Sequence, residues 1–234
     1  VAEPSLEYLE RLPRVAPVGA APPLVILLHG RGAWAKTIFS IEGLLDPRFH
    51  VIAIQAPYPS AIGGFEWFHP LEDAGGNEIA DATRFDESES LLTREIQSHI
   101  ERTGSSPAPL FLWGFSQGAA MALIVGLRGK LQITGMVPMS GFLPSPIRRW
   151  KQWNKNTSVL LAHGTNDEVL STESSKKTQA FLESKGIPVE YYEYKGRHKM
   201  TLDSIAYINN WIAKFTTPQP PPTSLHSVGG GVAS

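Results

Sequence analysis

Six short, largely apolar runs constrain the architecture of this chain: Leu24–His29, Val51–Ala56, Leu110–Trp113, Ile133–Met139, Val159–Ala162 and Val189–Tyr194. A strand with one wet face alternates apolar and polar residues. A strand buried on both faces reads as a continuous apolar run, as LVILLH and VIAIQA do. Between the runs lie helical repeats. Leu92, Ile96 and Ile100 share one face of a helix near residues 84–103. Ile205, Ile208, Ile212 and Phe215 share a face of the last helix, with Trp211 beside them. Strands alternating with helices predict a mostly parallel, doubly wound sheet in a three-layer αβα arrangement. Functional side chains then collect beyond the carboxyl ends of the strands.

The 234 residues suit one α/β domain, read as 1–215. Residues 216–234 (TTPQPPPTSLHSVGGGVAS) have little to bury and read as a disordered tail. An apolar content of 42% supports a core without a disulfide or metal staple. Cysteine is absent, which excludes thiolate nucleophiles and cysteine-ligated metals. The formal net charge of −1 provides no basic stripe for nucleic acid. No run approaches the roughly 18–20 apolar residues of a membrane span. The charged first residues carry no signal-peptide pattern, so a cytoplasmic protein is expected; a chain opening on Val1 leaves export open. Residues 57–82 form a long connection of the kind that is often functional. The stretch 141–156 is too short for a separate cap domain, which predicts an open site.

The pentapeptide Gly114-Phe115-Ser116-Gln117-Gly118 directly follows the run 110–113 and precedes the helix-like Ala119-Ala120-Met121-Ala122-Leu123. A serine between a buried strand and a helix, flanked by glycines, is the context of a nucleophile elbow. Its hydroxyl would be exposed at a helix N-terminus, where N–H groups can meet a developing oxyanion.

A serine hydroxyl needs a general base, and the base needs an orienting carboxylate. In doubly wound hydrolases the chain order is Ser, acid, His. Of seven histidines (29, 50, 69, 99, 163, 198 and 226), five precede the best acid, Asp167, and His226 lies in the tail. His198 remains, just past the run 189–194. Asp167 stands just past the run 159–162; Glu168 beside it would point elsewhere, and Asp203 falls inside the last helix. A lone loop Asp or His is most often a solvated surface residue. Order, strand-end position and the glycine-flanked turn together outweigh that reading.

The oxyanion donors predicted are the N–H of Gln117 and, from the loop His29-Gly30-Arg31-Gly32, the N–H of Arg31. His29 is expected to bond the loop backbone. The same loop matches Gly-x-Gly-x-x-Ala through Ala35, a dinucleotide fingerprint. The next strand ends Ile54-Gln55-Ala56-Pro57 without the ribose-binding acid, and Trp34 crowds a pyrophosphate site, which disfavours that reading. Trp67, Phe68, Phe115, Phe142, Leu143 and Val169 are the candidate substrate contacts, each with ordinary packing as the alternative.

The elbow GFSQGA, the loop LLHGRGAW, the acid loop HGTNDEVL and the turn YKGRHKM resemble the phospholipase/carboxylesterase family, over about residues 22–215. The resemblance implies an α/β-hydrolase fold without a large cap domain, no cofactor, and hydrolysis of carboxylic esters, lysophospholipids or thioesters. The chain departs from the family pattern at four places. Arg31 stands for a usual Leu, Ala119 for a second Gly, His69 for the Asp of Trp-Phe-Asp, and Leu170-Ser171 for Val-Pro. These touch the substrate region and leave the three candidate catalytic residues in place. The expected partner is a small-molecule ester, with short to medium acyl chains favoured by an uncapped, aromatic-walled site; a homodimer is compatible with this reading. A non-catalytic receptor on the same fold is disfavoured because all three residues are present.

Overall fold

The computed structural model describes residues 5–15, 21–72, 78–103, 109–144, 147 and 150–215. The expected tail, 216–234, lies outside the described residues. In chain order the elements are β1 (Tyr8–Arg11), β2 (Leu24–Leu28), α1 (Ala35–Phe39), β3 (His50–Ile54), β4 (Tyr58–Pro59), β5 (Phe65–Glu66), β6 (Pro70–Glu72), β7 (Glu78–Ala80), α2 (Ala82–Thr103), β8 (Leu110–Phe115), α3 (Gln117–Arg128), β9 (Gly135–Met139), β10 (Ser158–Gly164), α4 (Thr172–Ser184), β11 (Val189–Tyr194) and α5 (Leu202–Ala213). Seven of the strands form one sheet in the order β1-β3-β2-β8-β9-β10-β11. All neighbours are parallel except β1, which runs antiparallel to β3.

Each apolar run of the sequence overlaps one of the six parallel strands. β2 shows why it need not alternate. Leu24, Ile26 and Leu28 enter a core shared with Leu92 and Ile96 of α2, with α3 and with Leu182 of α4. Val25 and Leu27 enter the opposite core, shared with Ile38 of α1 and Ile208 and Ile212 of α5. Three helices therefore cover one face and two cover the other. At about 25 cal/mol per Å² of apolar surface, burying such a side chain is worth about 1.5–3 kcal/mol.

Two elements carry no such run. β1 (YLER) is an edge strand with Tyr8 and Leu9 exposed. It is held by register with β3 and by Arg11, whose Nε lies 3.0 Å from Glu42 Oε2. The buried face of α4 is built largely from small hydroxyl residues, Ser175 and Thr178, with Leu182. Its hydrophobic period is correspondingly weak in the sequence.

The order of strands reverses at β2: the chain moves outward to β3, then returns to β8 on the other side of β2. The carboxyl ends of β2 and β8 flank that switch point, where open α/β sheets bind their ligands. The loop after β2 and Ser116 after β8 both stand there. The long 57–82 connection holds the two small hairpins β4–β5 and β6–β7.

Candidate active site

Ser116 sits between β8 and α3 with φ 54° and ψ −118°, a conformation that non-glycine residues rarely adopt. The surrounding structure holds it there. The Ser116 N–H donates to the Met139 carbonyl at 2.9 Å, and the Ser116 carbonyl accepts from Ala119 N–H at 3.0 Å. The flanking glycines allow the close approach. A Cβ on Gly118 would fall on the Leu28 carbonyl oxygen and lie 2.6 Å from that of His29. The loop after β2 reaches the serine directly, since a Cβ on Gly30 would stand 3.2 Å from Ser116 Cβ. The residues read as nucleophile and oxyanion loop are thus in contact. In that loop the N–H groups of Gly32 and Ala33 donate to the carbonyls of Phe65 and Gly30. Arg31 is exposed at its tip, and Gln117 is the first residue of α3.

The acid and the histidine also meet. His198 Nδ1 lies 2.7 Å from Asp167 Oδ2. Asp167 Oδ1 accepts from the N–H groups of Val169 and Leu170, both at 2.9 Å, and its side chain is fully buried. Burial alone would push this carboxyl up. The hydrogen bonds from Leu170, His198 and Val169 together outweigh it and hold the carboxyl below its usual range. Glu168 points elsewhere, as expected: its Oε1 pairs with Arg197 at 2.7 Å. The Phe115 ring lies against the His198 imidazole at 4.9 Å between centroids, which brings the histidine to the elbow.

Backbone contacts fix this meeting. Asn166 N–H donates to Gly196 O at 2.8 Å, and Lys199 N–H closes a tight turn on Arg197 O at 2.7 Å. Tyr194 Oη donates to Lys199 O at 3.0 Å. Gly164 makes room for the turn: a Cβ there would stand 2.6 Å from the carbonyl oxygens of both Gly196 and Arg197. Gly164→Ala is therefore expected to displace His198 and to lower kcat by about 10²-fold. A circular dichroism spectrum near wild type with kcat within threefold would show that the turn adapts.

The structure corrects the reading of Trp67 and Phe68 as groove residues. Their exposures are 0% and 1%, so neither faces a substrate from solvent. Trp67 Nε1 donates to His29 O at 2.8 Å, and Trp67 N–H donates to Gln117 Oε1 at 2.8 Å. Gln117 Nε2 donates in turn to Phe68 O at 2.7 Å. Phe68 packs on Phe85 of α2. The pair anchors the long connection beneath the elbow. The polar backbone atoms to be satisfied there pull both residues inward. Of the other candidates, Phe115 and Phe142 are half-buried, Leu143 is buried and Val169 is 64% exposed. Ile62, absent from the sequence reading, is exposed on the β4–β5 loop, and its side chain packs over Gly32.

His29 bonds the loop backbone, as expected. Its Nδ1 stands 2.8 Å from Gly30 O, and its Nε2 accepts from Ala56 N–H at 3.0 Å and lies 2.8 Å from Gln55 Nε2. Gln55, at the position where a dinucleotide site needs an acid, accepts instead from Ala35 N–H at 3.0 Å. Burial pushes the His29 pKa down to about 4, partly offset by the bond to Gly30. The unfolded chain binds a proton near pH 6.5 that the fold does not take until about pH 4, so stability is full above 6.5 and is lost as pH falls through that window. The loss is expected to reach about 3 kcal/mol from this group. His99, also lowered first by burial, acts in the same direction. Denaturant unfolding between pH 7 and 4.5 tests this: His29→Gln is expected to flatten the slope, and an unchanged slope contradicts the assignment.

Among the described residues no group of three or more metal-binding side chains occurs, and no helix is long and apolar enough to cross a membrane. A serine on a strained strand-to-helix turn, beside a buried carboxylate–imidazole pair at neighbouring strand ends, is the arrangement of a serine hydrolase on the α/β-hydrolase fold. Comparison with known proteins gives the same class. The chain belongs to the phospholipase/carboxylesterase family, whose model matches residues 14–216. It is 29% identical over 217 residues to acyl-protein thioesterase 1 of Yarrowia lipolytica, covering 85% of this chain and 94% of that one. It is 30% identical over 115 residues to the Arabidopsis thaliana carboxylesterase SOBER1, covering 47% and 50% of the two chains. Among solved structures it is similar to esterase PE8, with a TM-score of 0.77, 26% identity, and coverage of 91% and 100%. The chain is an ester-cleaving serine hydrolase by family.

Proposed function

We propose that this enzyme hydrolyses short- to medium-chain carboxylic esters through a Ser116-Asp167-His198 triad and an acyl-enzyme. The observation that carries the reading is the 2.7 Å bond between His198 Nδ1 and Asp167 Oδ2. With Nδ1 engaged by the carboxylate, Nε2 is the nitrogen left to act as base, and the Phe115 contact supports its position next to Ser116. His198 takes the Ser116 proton as Oγ attacks the ester carbonyl. The N–H groups of Gln117 and Arg31 receive the oxyanion, a role supported by the packing of Gly30 against Ser116. His198 then gives the proton to the leaving alcohol, and water activated by the same imidazole releases the acid. Asp167 remains ionised throughout and stabilises the imidazolium.

The chain-length preference follows from what remains near the serine once Trp67 and Phe68 are assigned to the core. The apolar candidates left are Phe115 and Phe142, both half-buried, Leu143, which is buried, and Val169 and Ile62, which are exposed. A shallow apolar surface of this kind removes few methylenes from water, at about 0.8 kcal/mol each, so selectivity for long chains has little to build on. A p-nitrophenyl ester ladder is expected to show kcat/KM peaking at short to medium acyl groups. A rate rising steadily to long chains contradicts it. The thioesterase name of the Yarrowia relative favours a second reading, acyl thioester hydrolysis by the same machinery. Matched thioesters in the same ladder separate the two: a kcat/KM tenfold or more above that for the oxygen ester assigns the thioester as preferred substrate.

A further inference from the structure

We infer that His163, four residues before Asp167, is a positioning residue for the proposed triad: it fixes the acid loop and sets its Nε2 edge beside the carboxylate that orients His198. The inference rests on the triad reading. His163 is fully buried at the carboxyl end of β10. Its Nε2 stands 2.8 Å from Leu170 O and 3.3 Å from Asp167 Oδ2. A carbonyl oxygen cannot donate, so Nε2 carries a hydrogen. In the neutral ring Nδ1 then accepts from the Ser175 hydroxyl of α4, 2.6 Å away.

Leu170 is held at both ends by this arrangement. Its N–H goes to Asp167 Oδ1 at 2.9 Å and its carbonyl goes to His163. The loop that carries the acid is thereby closed into a ring of bonds: His163, Leu170, Asp167. Asp167 Oδ2 lies between two imidazoles, His198 at 2.7 Å and His163 at 3.3 Å. The shorter contact is the oriented triad bond. The longer one sets the positive edge of the ring near the same oxygen, while its hydrogen goes to Leu170 O. Two effects follow. The loop holds the carboxylate toward His198, and a positive ring edge stands near its charged oxygen.

The other ionisable groups around the pair are accounted for. Glu193, the register neighbour of His163 on β11, is held by Lys176 at 3.0 Å and receives the Tyr191 hydroxyl at 3.0 Å. Glu168 accepts from the His198 backbone N–H at 3.4 Å and pairs with Arg197. Tyr194 bonds Lys199 O. On the β9 side the register partner of Ala162 is Met139, which has no charge.

The experiment compares wild type with His163→Gln, His163→Asn and His163→Leu. A glutamine amide reaches the Nε2 position and can still donate to Leu170 O; an asparagine reaches only the Nδ1 position, toward Ser175. The readouts are kcat on p-nitrophenyl acetate and the pH dependence of fluorophosphonate labelling, whose acid limb reports the base in the free enzyme. Asn and Leu are expected to lower kcat by about 10–100-fold, as a displaced catalytic group does. Their acid limb is expected to move up, because the carboxylate then loses the dipole beside Oδ2. Gln is expected to stay within about threefold of wild type, with the limb unmoved. If Leu fails to fold, the Gln–Asn pair decides. Gln and Asn behaving alike, whether both active or both impaired with the limb unmoved, overturns the inference. Failure of the triad reading is separately visible: Ser116→Ala or His198→Ala would then retain labelling and turnover.

Discussion

Ser116→Ala is expected to lower ester turnover by about 10⁴-fold or more while leaving the fold unchanged. The two halves of this expectation have different grounds. Chemically, alanine removes the only atom that forms the acyl-enzyme, and the residual rate comes from the oxyanion donors and binding. Structurally, the Ser116 side chain makes no cap bond to α3, so no structural bond is lost with it. The bonds that shape the turn belong to its backbone N–H and carbonyl, which alanine keeps. Alanine also keeps the strain at φ 54°. Ser116→Gly removes both the hydroxyl and the strain, and should be inactive yet more stable by about 1 kcal/mol. Turnover on p-nitrophenyl acetate and a denaturant melt check both. Turnover within tenfold of wild type contradicts the assignment, and a large loss of stability in Ser116→Ala contradicts the structural half.

Asp167→Asn is expected to cost about 10³–10⁴-fold in kcat, also without unfolding. The reason is the tautomer that the loop would impose. Oδ1 faces two donors, the N–H groups of Val169 and Leu170. An asparagine must keep its oxygen there, which turns its amide group toward His198. A donor facing Nδ1 forces His198 to accept at that nitrogen and to carry its hydrogen on Nε2. An Nε2 that already holds a hydrogen cannot take one from Ser116. The same amide would also face His163 Nε2, 3.3 Å from the oxygen it replaces, a nitrogen that cannot accept from it. A loss of less than tenfold, with circular dichroism unchanged, would mean that the carboxylate does not set the tautomer.

The parts of this molecule that were legible in the sequence share a physical cause. The six parallel strands are buried on both faces, so each leaves a largely apolar run. Ser116, Asp167 and His198 stand just past three of those runs, at one edge of the sheet, and the meeting of Asp167 with His198 follows from that placement. What was not legible depends on groups far apart in the chain. Trp67 and Phe68 turn inward because the Gln117 amide and the His29 carbonyl lie beneath them. An aromatic residue in a loop carries no local sign of which way it faces. β1 is an edge strand and α4 packs on hydroxyls, so neither has a strong period. Chain order set His163 aside from the base role, and its ring bonds Leu170 O and the Ser175 hydroxyl. Its spacing of four from the acid was the available signal. It becomes meaningful only when β10 ends and the loop folds back on it.

The measurement that bears most directly on the central claim is intact mass after incubation with a fluorophosphonate probe, for wild type and Ser116→Ala side by side. The account predicts one phosphonyl adduct on wild type and none on the variant. An adduct on Ser116→Ala, or none on a well-folded wild type, would contradict it, because an assembled triad activates Ser116 and no other residue.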